Sequence, residues 1–226
     1  MSEDLKDYRE KELRSYYIGN ILILLFSLKG FNEFFFQNSI NNNKYNDSPV
    51  TLIIAFLTST FISSIVYIYL FIFDSLVASN VKTAICNLWF KLPGETIFEK
   101  TRNKNIDKRF TKEMMKTKYQ DIYSKLDELH GKEKNDFSNA AWYRIYKLHK
   151  EEAMIHGANR DYLLCRDMCF STLCIVLIYL LLAGIGFSIF STKYLSFLFI
   201  EIVLTNITMQ NKAKRLAFNV IAADIQ

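Results

Sequence analysis

The stretch VTLIIAFLTSTFISSIVYIYLFIF, residues 50–73, carries no charged side chain, and it exceeds the roughly 20 residues that an α-helix needs to cross a hydrocarbon layer. Pro49 stands before it and Asp74 after it, residues that suit helix ends. Three further apolar blocks flank it: 16–36, interrupted by Lys29 and Glu33; 168–190, free of charge; and 194–209, which carries Glu201. The last block is short and would cross only with tilt or local thinning. The pattern predicts an all-α integral membrane protein with four transmembrane helices at 16–36, 50–73, 168–190 and 194–209. A cytoplasmic helical insert at 75–167 separates the second from the third. The flanking segments, 1–15 and a helical tail at 210–226, are expected on the cytoplasmic side.

Composition agrees with helices. Half of the 226 residues are hydrophobic, and only two prolines and seven glycines occur, which disfavours a turn-rich β-fold. The net charge of +5 comes from basic residues next to the apolar blocks, where membrane orientation accounts for them, so no direct binding of double-stranded DNA is expected. Lys and Arg number four before the first block, one at 37–49, eighteen at 75–167, one between the last two blocks and three in the tail. Because cytoplasmic loops retain the excess of Lys and Arg, this alternation places both termini and the insert in the cytoplasm of a multi-pass inner-membrane protein. The start, Met-Ser-Glu-Asp, lacks the basic region and cleavage site of a signal peptide. Cys86, Cys165, Cys169 and Cys174 would then face the reducing side as structural thiols, and their spacing does not resemble a zinc site.

Within the insert, 79–92 reads as a helix leaving the membrane, stopped by Pro93 and Gly94. The apolar spacing from Ile106 to Leu129 predicts one amphipathic helix with Gly131 as its stop. Asp136 or Ser138 can cap a further helix through Trp142, Ile145, Leu148 and Ile155, able to run on into the third span.

Charges inside a membrane survive only by pairing or by facing water. At 1.5 Å per residue from the outer helix ends, Lys29 and Glu201 lie at matching depths of roughly 10 Å and Glu33 at about 5 Å. Glu201 is therefore expected to pair with Lys29, within or between subunits, as a packing lock or as part of a charged path. The hydroxyl run including Thr58, Ser59 and Ser63 suits a helix interface, as do Gly184 and Gly186. Asn159, Arg160, Asp161 and Arg166 at the entry to the third block, with Arg215 after the fourth, form a candidate surface for a ligand or partner. Arg144 and His149 match the loose Arg–His spacing of the ribonuclease centre in nucleotide-binding helical domains, although Ile145 stands where that motif usually has asparagine. No phosphate-binding glycine loop, metal-ligand cluster or activated nucleophile is present in the sequence, so neither an enzyme, a metal nor a cofactor is expected.

The break at Leu92, Pro93, Gly94 and Glu95 before a basic helix, together with the Asn159-Arg160-Asp161 entry to the third block, resembles small multi-span membrane effectors or accessories of bacterial antiviral systems, of cyclic-nucleotide and CRISPR-linked types. The resemblance implies a homo-oligomer in the lipid bilayer that disturbs permeability, channel-like, when a cytoplasmic protein or nucleotide signal engages it. The alternative expectation is a non-conducting anchor or scaffold whose cytoplasmic helices dock a soluble protein, with a membrane-tethered ribonuclease as a third reading.

Overall fold

The computed structural model describes residues 2–27, 75–88 and 90–226, together with 57, 60, 61, 64, 65, 67–69, 71 and 72. Every element among the described residues is helical: α1 Ser2–Ser27, α2 Ser79–Cys86, α3 Pro93–Asn103, α4 Lys112–Lys118, α5 Gln120–Glu128, α6 Gly131–His149, α7 Ala153–Gly184 and α8 Thr192–Ile225. The described residues from 57 to 76 are also helical.

The all-α class stands, but the count of four spans does not. Among the described residues one helix, α7, is long and apolar enough to cross a membrane. Helix α1 starts at Ser2 rather than at 16, so about half its described length is the charged N-terminal segment. Helix α8 fuses the expected span at 194–209 with the expected tail, and Glu201, Asn206 and the lysines that follow lower its hydropathy over any membrane-length window. The 50–73 block lies largely outside the described residues, as do Lys29, Glu33, Thr58, Ser59 and Ser63.

Boundaries shift for local reasons. Helix α7 starts at Ala153, well before the apolar block, and stops at Gly184 rather than continuing to 190. Gly186 adopts φ +81° there, and the Phe187 N–H returns to the Leu182 carbonyl at 2.9 Å, a left-handed glycine termination. The single amphipathic helix expected from Ile106 to Leu129 is two short ones. The Asp107 carboxylate accepts from the Arg109 N–H at 3.0 Å to form a turn, and Thr111 caps α4 by accepting from the Met114 N–H at 3.3 Å. Tyr119, at φ −114° and ψ 30°, then separates α4 from α5. Gly131 opens α6 rather than stopping its predecessor, and α2 ends at Cys86 rather than at 92.

The chain divides into two compact units. The first comprises residues 1–86 and 166–206, and the second 87–165 and 207–226. In the first, α1 buries Leu13, Tyr17, Ile21 and Leu24, spaced three or four apart as one helix face requires. The second closes on a core that includes Ile97, Phe98, Phe110, Met115, Ile145, Ile155, Val220 and Ile221. Its helix α3 begins as the Pro93 break suggests, with Pro at the first helical position. The Glu95 carboxylate accepts from the Leu92 N–H at 3.2 Å, and Ser138 Oγ donates to the Gly94 carbonyl at 2.7 Å. A Cβ on Gly94 would come 2.5 Å from Asn139 Oδ1 and 3.0 Å from the Trp142 ring, so glycine is what lets α3 approach α6 this closely.

Candidate functional site

Among its described residues the first unit exposes many apolar side chains and buries several polar ones within a largely apolar interior. Asn20, Lys82, Arg166, Asp167, Ser171, Thr172 and Ser188 are buried, whereas Leu177, Leu181, Phe199, Ile200 and Leu204 are exposed. Apolar surface on this scale marks contact with something other than water.

Glu201 lies in this interior. Its Oε1 accepts from Asn20 Nδ2 at 2.9 Å, and the same amide donates to the Tyr16 carbonyl at 3.3 Å. The amide orientation is assigned by this network. Glu201 Oε2, Asn20 Oδ1 and the Tyr194 hydroxyl are buried without hydrogen-bond partners among the described residues. A carboxylate oxygen buried without a donor among the described residues is expensive.

Polar contacts continue along the same helices. Tyr16 hydrogen-bonds Thr172, which donates to the Met168 carbonyl at 3.0 Å. The Tyr17 and Ser171 hydroxyls meet at 2.7 Å. Arg166 clasps Asp167 through Nε at 3.0 Å and Nη2 at 2.7 Å, while its Nη1 reaches Ser79 Oγ at 2.6 Å and Thr83 Oγ1 at 3.3 Å. Lys82 is buried with its ammonium 5.6 Å from the Phe170 ring centre. The four cysteines are buried and unbridged, and Asn206 Nδ2 donates to the Cys86 carbonyl at 2.8 Å.

The polar residues grouped in the sequence around the third block are divided by the fold. Arg166 belongs to the first unit; Asn159, Arg160, Asp161 and Arg215 belong to the second. There Asp161 accepts from Arg160 at 2.6 Å and from Lys212 at 2.9 Å. Arg215 is exposed.

His149 lies in the second unit between two carboxylates, with Nδ1 at 2.5 Å from Glu152 and Nε2 at 3.2 Å from Asp224. Asp224 also accepts from the Tyr119 hydroxyl at 2.6 Å. The Glu152 hydrogen bond, aided by Asp224 against partial burial, raises the His149 pKa. Arg144 donates instead to the Ala140 carbonyl at 3.4 Å, so no polar contact brings Arg144 and His149 together.

Asn20, Tyr16, Tyr17 and Asp224 were not singled out by sequence reasoning. Asn20 carried a detectable signal, since it falls on the α1 stripe of Leu13, Tyr17 and Leu24; Asp224 carried none. The described residues define an all-helical fold with one helix long and apolar enough to cross a membrane and a half-buried carboxylate hydrogen-bonded between α1 and α8. No protein-family profile, curated protein or solved structure matches the chain.

Proposed function

We propose that the protein is an oligomeric effector of the bacterial inner membrane that alters permeability when its second unit receives a cytoplasmic signal, in the setting of antiviral defence. The observation that carries this reading is the exposed apolar surface of the first unit, where leucines and phenylalanines face outward while Asn20, Arg166 and Asp167 are buried and Glu201 is half-buried. Lipid is the solvent that favours such a surface, and a polar interior is where an ion path can open. Helix α7 supplies the membrane attachment, and the basic second unit faces the cytoplasm. In this reading Glu201 sits at a helix contact that loosens when the oligomer rearranges, and the carboxylate exposed by that motion draws cations.

The test is release of potassium or a small dye from cells producing the wild type or Glu201→Gln. We expect several-fold less release from the variant at equal membrane abundance. Equal release would remove Glu201 from the path, and recovery of the wild type outside the membrane fraction would end the reading.

A second reading, a non-conducting scaffold, draws on α6, where Leu148 and Tyr143 present apolar surface that a docked protein could cover. It predicts a stable co-purifying protein and no leakage on overproduction.

A further inference from the structure

The second unit contains a cleft of about 250 Å³ that neither the helix core nor the His149 cluster accounts for. Its wall is largely apolar: Ile97 and Ala217 are core residues at its base, and Ile106 and Phe218 stand at its sides. The Phe218 ring is tilted against Phe110 with centres 6.4 Å apart, so this wall is held by the core. Pro93, Thr96 and two cations, Lys100 and Lys214, complete the lining, and no acidic residue contributes to it.

These lysines differ from others in the unit. Lys118, Lys134 and Lys212 are each engaged by a carboxylate. Neither Lys100 nor Lys214 makes a hydrogen bond or an ion pair with any described residue, and both are exposed. The cleft therefore offers two uncompensated positive charges beside a fixed apolar wall.

We propose that this cleft binds a small soluble phosphate monoester with a flat apolar body, of the size of a nucleoside monophosphate. The charge argument selects phosphate, which carries nearly two negative charges at neutral pH, whereas a single carboxylate would leave one lysine unmatched. Lysine serves well as a point charge for phosphate. The volume lies just below the usual range for ligand pockets, which suits a compact body lying on Ile97 and Phe218 and leaves no room for a long acyl chain. That this ligand is the activating signal rests on the function proposed above; the binding itself does not.

The experiment uses full-length protein in phosphatidylcholine nanodiscs and follows the anisotropy of a fluorescent AMP analogue. We expect saturable binding that AMP displaces and adenosine does not. Lys100→Ala and Lys214→Ala should each weaken it about tenfold, with Lys100→Arg close to wild type. Because both lysines are exposed, the variants should keep the wild-type circular dichroism. Absence of saturable binding at millimolar probe, wild-type affinity in both alanine variants, or displacement by adenosine would overturn the proposal. So would displacement by phosphatidylglycerol vesicles but not by AMP, which would assign the cleft to a lipid headgroup. Lysine-dependent binding without leakage would support the cleft while counting against the permeability function, so the two ideas fail separately.

Discussion

Asn20 and Glu201 are 181 residues apart in the chain and hydrogen-bonded at 2.9 Å. The contact joins α1 to α8 inside the first unit, and removing one partner differs from removing both. In Asn20→Leu the Glu201 carboxylate loses its donor, and we expect the unit to lose about 1–3 kcal/mol. The double variant Asn20→Leu/Glu201→Leu should recover most of this, because an apolar pair has no group left unsatisfied. Thermal unfolding in detergent micelles reads the difference; a double variant less stable than either single one would contradict the contact.

Arg166 and Asp167 form the most deeply buried ion pair in the described structure, with side chains 5% and 0% exposed. Asp167→Ala strands the guanidinium, which keeps only Ser79, Thr83 and backbone as acceptors. A loss of about 3 kcal/mol is expected, and Arg166→Met/Asp167→Leu should be milder. An Asp167→Ala protein melting with the wild type would show that the pair contributes nothing.

Gly94 is a packing requirement. Its missing Cβ leaves the space taken by Asn139 and Trp142, so Gly94→Ala should cost about 1–3 kcal/mol through forced separation of α3 and α6. Gly157, with open space where its Cβ would stand, provides the control, since Gly157→Ala inside α7 should be neutral or stabilising. Similar urea midpoints for the two variants would argue against the close approach.

His149 ties the end of α6 to Asp224 near the end of α8. Its folded pKa is raised above the ordinary value of about 6.5, so its contribution is complete below that value and fades as pH rises through the raised one. Hydrogen exchange in the last turn of α8 should quicken over this window beyond the intrinsic base-catalysed increase. His149→Gln should abolish that excess. An excess unchanged in the variant would assign it to another group.

The existence of helices was more legible than their ends. Pro93 and Gly94 read as the stop of a helix at 79–92, but α2 ends at Cys86 and Pro93 opens α3; the spacing of Trp142, Ile145 and Leu148 does mark α6. The expected span boundaries failed because apolar blocks end where composition changes, whereas helices end where the backbone is redirected. Nothing in Asp161 or Arg166 stops α7, but the left-handed Gly186 does. For the same reason α8 runs through Lys212 and Arg215 to Ile225. The loop at 104–111 escaped notice because Ile106 and Phe110 kept the helical spacing while Asp107 and Thr111 turned the chain.

What the sequence by itself determined was the helical class and the apolar character of α7. Depth along separate apolar blocks suggests Lys29 as a partner of Glu201, and Lys29 lies outside the described residues. Tertiary structure decided that Asn20 is the donor to Glu201, that Arg166 keeps company with Asp167 and Ser79 rather than with Arg160, and that Lys100 and Lys214 share one cleft. The physical reason is that helix formation depends on residues a few positions apart, whereas these partners, other than adjacent Asp167, lie on separate helices and meet only through the packing of the whole unit.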